Sequence, residues 1–214
     1  MSAPPADARR VAPGTLSKHF FARPTDELAR DLMGVWLFSE STDGLCGGPI
    51  VETEAYGGPE DLASHARAGR TRRTMPMFGP VGHAYVYLVY GMHDCLNVVG
   101  FAPPAEAGAV LIRAIEPAIG IDLMRARRGR PHDLERRLCA GPARLCQALG
   151  VDRSLDGHDL MSGQRLWLAT PDVSAGALEV KAGTRVGVES AGGDWSERPW
   201  RFWQEGNPSV SRTR

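Results

Sequence analysis

Apolar positions along the chain recur with two different periods. Ile50 to Tyr56 reads IVETEAY, an alternating pattern that predicts a strand. Successive strand side chains point to opposite faces, so Ile50, Glu52, Glu54 and Tyr56 are expected on one face and Val51, Thr53 and Ala55 on the other. Ala84 to Tyr90 reads AYVYLVY, β-branched and aromatic, and halts at Gly91; after GMHD, the run CLNVVGF reads as the returning strand of a hairpin. GAVLIRAIEP predicts a further strand. Shorter strands are expected at Val35–Glu40, Arg165–Ala169, Thr184–Glu189 and Trp200–Trp203, and TDGLCGG is expected as a turn leading into Ile50. Helical patterning covers Thr25–Gly34, with Thr25 as N-cap and acids in the first turn, then Ile119–Arg127, His132–Cys139 and Pro142–Leu149. Pro59 is expected to start a short helix carrying His65, and Arg67–Gly79 to form an arginine-rich loop. Strands and helices mix without a βαβ repeat. The pattern predicts an α+β fold: a mostly antiparallel curved sheet, a protruding β-hairpin and surrounding helices.

Four residues sit badly in that pattern. Neither face of the Ile50–Tyr56 strand is cleanly polar, so Glu54 reads either as a partly buried working carboxylate or as a solvent-edge or salt-bridged glutamate. Asn97 interrupts Cys95-Leu96-Asn97-Val98-Val99, and Arg113 interrupts an apolar run from Ala109 to Ile115. A buried guanidinium needs a carboxylate, and Glu54 is one candidate among several acids. Tyr85 and Tyr87 share a strand face and read as core, whereas Tyr90, beside Gly91 at the expected hairpin tip, does not.

The 214 residues fit one domain, taken as residues 18–214, after a Pro/Ala-rich tail at 1–17 expected to be disordered. That tail lacks the apolar stretch of a secretory signal, and no run is long enough to span a membrane, so an intracellular protein is expected. Cys46, Cys95, Cys139 and Cys146 form no C-x-x-C pair, and the six histidines no i, i+4 pair; neither a metal nor a cofactor is expected. Formal net charge is zero, which by itself argues against a strongly basic nucleic-acid binder. The distribution changes that picture. Leu62–His93 holds four arginines and no acid, namely Arg67, Arg70, Arg72 and Arg73, and Arg113–Arg144 holds eight arginines against four acids. These two stretches are candidate phosphate-facing surfaces, with a solvated helix face as the alternative for the second.

The segments IVETEAYGGPEDLASHA, YVYLVYGM, GAVLIRAIEP, LCAGPARLCQALGV and RPWRFWQEGNPSVS, in that order, resemble the alkyladenine (3-methyladenine) DNA glycosylase family. The resemblance runs from about Phe20 to about Arg212 and departs from the family pattern by one extra residue in SAGGDWSER. It implies removal of damaged purines from double-stranded DNA, by flipping the nucleotide out and hydrolysing the bond between base and sugar. Carried onto matching positions, it implies Glu54 as general base on the attacking water, with Arg113 beside it. Tyr56, His65, Tyr87, Asn97 and Leu111 would form the base pocket and Tyr90 the side chain that fills the vacated stack. Stacking between Tyr56, His65 and Tyr87 would favour electron-poor or cationic purines. Lys18 and Lys181, the only lysines, lie outside these blocks, so a monofunctional enzyme without lyase activity is expected, acting as a monomer. A nucleic-acid-binding module without catalysis, and a hydrolase of free nucleosides or RNA, are the competing readings.

Overall fold

A computed structural model describes residues 14–170 and 178–212. The first thirteen residues of the expected tail lie outside those limits. The remainder of it is not tail: Gly14–Thr15 is strand β1, paired with Thr170 and Ala169, so regular structure begins before residue 18.

The elements follow as helix α1 (Lys18–Phe21), helix α2 (Thr25–Asp31), strand β2 (Trp36–Ser41), strand β3 (Gly44–Tyr56), strand β4 (Ala84–Val89), strand β5 (His93–Val99) and strand β6 (Ala109–Ile115). Helices α3 (Ile121–Arg127), α4 (Glu135–Leu138) and α5 (Pro142–Leu149) come next, then strand β7 (Leu166–Thr170), strand β8 (Val180–Gly183), helix α6 (Gly193–Glu197) and strand β9 (Arg201–Gln204). The described strands form one antiparallel sheet in the order β1-β7-β2-β3-β6-β5-β4, with β9 on β3 and β8 on β9. The α+β expectation holds.

The long strand β3 is the axis. Its first half pairs with β2 and its second half with β9, while β6 runs along the other edge. The expected turn before Ile50 is therefore shorter: Thr42-Asp43 turns the chain, and Gly44 to Gly48 already belong to β3. Close packing demands glycine there, since a Cβ at Gly48 would lie 1.8 Å from the Glu116 carbonyl oxygen.

One face of the sheet is dry. Ala55, Val86, Leu96, Val98, Val110 and Ile112 pack there with Leu28 and Leu32, at α2, and Leu145 and Leu149 of α5. Helix α5 matches its pattern at both ends, with Pro142 at its start and left-handed Gly150 closing it. Thr25 does not cap α2. Pro24 holds the cap position, and the Thr25 hydroxyl donates to Gly100 O at 3.0 Å, tying the helix to the sheet.

The β3–β6 pairing slips twice, between Ile50 and Glu52 and between Glu52 and Thr53. Ile50 pairs with Ile115, and both join the dry core instead of sharing the face of Glu52 and Glu54. The second slip leaves Arg113 as the extra residue on β6, between Ala114 and Ile112. Bulges of this kind re-aim a side chain, and here the side chain is the arginine.

Two expectations fail around this axis. The helix after Pro59 is a set of turns ending in a 3₁₀ turn at His65–Ala68, because Asp61 caps the loop by accepting the Gly57 and Ala63 N–H groups. Thr184–Glu189 is not a strand. The pairing with β9 ends at Gly183, and the chain then leaves the sheet to carry Arg185 inward.

Candidate active site

Glu54 is wholly buried, and its carboxylate takes three donors. Oε1 accepts the Val186 N–H at 2.7 Å, and Oε2 accepts the Tyr56 hydroxyl at 2.9 Å and faces Arg113 Nη1 at 3.2 Å. Arg113 is shared. Its Nε donates to Glu52 Oε1 at 2.8 Å and its Nη2 to Ser211 Oγ at 3.2 Å. Burial opposes the charge of Arg113, but Glu54 and Glu52 together hold its pKa above the ordinary value. Burial pushes the Glu54 carboxyl up; Arg113, the Val186 N–H and the Tyr56 hydroxyl oppose the rise, and nearby Glu52 adds to it. The direction follows from burial, which Arg113, shared with Glu52, offsets only in part.

Glu52 has no such freedom. Oε1 accepts from Arg113 Nε and Arg201 Nε, each at 2.8 Å, and from Ser211 Oγ at 2.9 Å; Oε2 accepts the Ser211 N–H at 2.7 Å. Four donors from two arginines and Ser211 hold it, which makes Glu52 the structural partner of two arginines. Glu54 Oε1, with one donor, retains a lone pair for a further hydrogen bond.

In front of Arg113 lies a cavity of about 750 Å³. Tyr56, His65, Tyr87, Asn97, Leu111 and Arg113 line it, so the residues assigned to a base pocket from sequence are brought together. The His65 ring stands edge-on to Tyr87, with centroids 4.5 Å apart at 81°. Its Nδ1 meets the Tyr85 hydroxyl at 3.0 Å and its Nε2 meets Arg73 Nη2 at 3.3 Å. Arginine only donates, so Nε2 is the lone-pair nitrogen and Nδ1 carries the proton. Burial, with Arg73 adding to it, lowers the His65 pKa to about 4, which leaves the ring neutral at physiological pH. The Asn97 amide nitrogen donates to Tyr85 O at 3.0 Å, so part of this side chain is spent on the sheet while the residue still faces the cavity.

Tyr90 stands at the edge of the same cavity, 89% exposed. It is not the last residue of β4 but the first of the turn, closed by Met92 N–H to Val89 O at 3.1 Å. Both central residues have positive φ, 52° at Tyr90 and 69° at Gly91, as a type I′ hairpin turn requires. Glycine takes that conformation freely. A tyrosine there is strained, by about 1–2 kcal/mol, and its exposed ring has no packing to offset the cost.

The four loop arginines divide. Arg67 Nη1 donates to Leu62 O, Arg70 lies over the Phe78 ring and Arg72 is exposed. Arg73 turns into the cavity, 5.3 Å above the Tyr87 ring, and is a wall of the site.

Sequence reasoning missed Val186, Arg185, Asp61, Arg201 and Ser211. Two of them carried a visible signal: Arg185 and Arg201 interrupt apolar runs just as Arg113 does. The Val186 contribution is a backbone N–H, which no residue type announces.

Known proteins resemble this chain over most of its length. The family described as Methylpurine-DNA glycosylase matches residues 19–208. The DNA-3-methyladenine glycosylase of Mus musculus is 43% identical over 209 residues, covering 92% of this chain and 61% of its own length. That of Homo sapiens is 40% identical over 205 residues, covering 92% of this chain and 67% of its own length. A provisionally named 3-methyladenine DNA glycosylase of Carboxydothermus hydrogenoformans is 45% identical over 197 residues, covering 92% of this chain and 98% of its own length. The chain thus spans less than two thirds of the mouse relative and nearly all of the bacterial one. With a family match over residues 19–208 and relatives above 40% identity across most of both chains, this chain belongs to the methylpurine-DNA glycosylase family.

Proposed function

We propose that the protein is a monofunctional DNA glycosylase of base excision repair, which flips damaged purines from duplex DNA into the aromatic cavity and hydrolyses the N-glycosidic bond. The observation that carries this reading is Glu54: an acceptor-only carboxylate, buried directly behind Tyr56, Arg113 and Val186 of the cavity lining, with a lone pair left on Oε1. A water held there would lose its proton to Glu54 as its oxygen bonds to the anomeric carbon, while the purine leaves with the electrons of the broken C–N bond. The negative carboxylate also favours an oxocarbenium-like sugar. This is the base half of an inverting glycosidase.

Tyr90 would fill the gap left by the flipped nucleotide, since unstacking costs a few kcal/mol and an inserted ring recovers part of it. Arg67, Arg70 and Arg72 are assigned to DNA phosphates; Arg73 is assigned to the pocket. Neither lysine lines the cavity: Lys18 is exposed on α1, and Lys181 pairs with Glu179 at 2.8 Å on β8. That supports a water nucleophile and not an amine.

The test is incubation with methylated duplex DNA, followed by identification of the released bases. Release of alkylpurines is expected, leaving intact strands that break only on alkali treatment. Absence of any released base would overturn the reading. Trapping of a protein–DNA adduct by borohydride would overturn only the monofunctional part.

A further inference from the structure

We propose that the buried ion pair Arg185–Asp61 positions the reacting groups, holding the Val186 N–H against Glu54 and the Tyr56 ring against the base. The inference rests on the glycosylase reading above.

Both side chains are wholly buried. Arg185 Nη1 donates to Asp61 Oδ2 at 2.6 Å and to Ala55 O at 2.9 Å; Nη2 donates to Asp61 Oδ1 at 3.0 Å and to Trp195 O at 2.8 Å. The guanidinium also lies between two rings, 4.9 Å from the Tyr56 centroid and 5.2 Å from that of Trp200. Besides Trp195 O, three tethers therefore meet at one charge. The first is Ala55 O, on the strand between Glu54 and Tyr56. The second is the peptide that leads into Val186. The third is Asp61, whose carboxylate also holds the Gly57 and Ala63 N–H groups and so fixes the loop that carries His65.

The segment after Gly183 has left the sheet, so no strand pairing holds Val186 in place. Its N–H lies 2.7 Å from Glu54 Oε1 because the neighbouring side chain is anchored. Stability alone is a weak account of such a pair. A buried ion pair is often neutral or unfavourable compared with apolar side chains of the same volume. What an apolar pair could not supply is the bidentate, directional hold on three backbone segments at once.

The readout is the pH profile of single-turnover base release. Glu54 must be ionised to take a proton, so activity falls as pH drops through its raised pKa. The charged and titratable groups facing Glu54 are Arg113 from β6, Glu52 and Tyr56 from β3, Tyr87 from β4 and Cys95 from β5. Burial raises Tyr56 and Tyr87 and pushes Cys95 to about 11, and His65 changes charge only near 4, so the limb reports Glu54. The Val186 N–H lowers the Glu54 value; losing it moves the limb to higher pH.

Arg185→Lys and Asp61→Asn are therefore expected to slow base release about 10- to 100-fold, with the acid limb moved upward. Lesion binding should change less than the rate. A merely structural role predicts something else: fewer active molecules by active-site titration, with rate constant and limb as in wild type. Folded variants behaving in that way overturn the proposal. Should the single variants fail to fold, the paired replacement Arg185→Met with Asp61→Leu removes both charges together. A folded, slow pair variant with a shifted limb supports the clamp, and a fast one with an unshifted limb overturns it. A wild-type protein that releases no base overturns the glycosylase reading instead.

Discussion

Replacing Glu54 by glutamine separates chemistry from stability. Three donors converge on the carboxylate, the Val186 N–H, the Tyr56 hydroxyl and Arg113 Nη1. Glutamine keeps one oxygen and turns an NH₂ toward one of them. The hydroxyl can rotate to accept, so about one mismatched donor remains, at a cost of about 1–3 kcal/mol. Burial works in the opposite sense. The pKa of Glu54 is raised in the folded protein, so the stability it contributes is present below the unfolded value, about 4.3, and is lost as pH rises through the folded value. At neutral pH the ionised carboxylate is a cost that the amide removes. The two effects oppose, and Glu54→Gln should lie within about 2 kcal/mol of wild type, or about 8 °C in Tm for a chain of this size. Base release should fall about 10²- to 10⁴-fold, which is about 3–5 kcal/mol in the barrier.

Glu52→Gln should do the reverse. It leaves two buried guanidiniums undercompensated, at about 3–5 kcal/mol, and lowers Tm by about 6–20 °C, while the chemical step suffers only as far as Arg113 shifts. Thermal melts from pH 4 to 8, paired with single-turnover release from one lesion duplex, measure both quantities. If Glu54→Gln melts as low as Glu52→Gln and still releases base within tenfold of wild type, the roles of the two carboxylates have been exchanged here and the reasoning fails.

Tyr90→Ala should slow excision most for a stably paired lesion and least for a mismatched or single-stranded one, whereas Tyr87→Ala should slow all three alike; equal context dependence in single-turnover assays would remove Tyr90 from flipping. Tyr90→Gly should raise thermal stability by about 1 kcal/mol, because it relieves a positive φ without removing any packing, while losing the same context-dependent activity. Asn97→Ser should open space beside the purine and raise release of guanine-type bases relative to adenine-type, and an unchanged ratio on mixed alkylated DNA counts against that role. DNA affinity should fall with salt at a log–log slope of about −0.9 per phosphate contacted, despite the zero net charge, and a flat response in titrations from low to high salt would contradict the arginine assignments.

Local chemistry was legible in the chain, and register was not. Alternation placed Glu52, Glu54 and Tyr56 toward one side, and the structure agrees, but it placed Ile50 there as well. The slip in β3–β6 pairing that moves Ile50 into the core leaves Val51 as an extra residue on β3, and no local pattern encodes it. Arg113 stood out because a guanidinium in an apolar run must find carboxylates. Which of the two neighbouring glutamates is the structural one was hidden, since Arg201 and Ser211 reach Glu52 from the far end of the sequence. Arg73 looked like one more surface arginine until the fold brought Tyr87 and His65 beneath it. Thr184–Glu189 has the composition of a strand and the position of a loop, because Arg185 finds its acid and two rings in the interior rather than at a sheet edge.

The polar contacts that define the site join residues far apart in the chain. Val186 to Glu54 spans 132 positions, Ser211 to Glu52 spans 159 and Arg185 to Asp61 spans 124. Each closes a long loop whose entropy is lost before the contact returns anything. The hairpin β4–β5 and helix α5, built from near neighbours, can form early, and the catalytic pocket can form only once both ends of the sheet have met on β3. During refolding, secondary structure should therefore return before the ability to bind a lesion analogue, and a partly folded chain would have its protruding tyrosine in place with no reactive centre behind it.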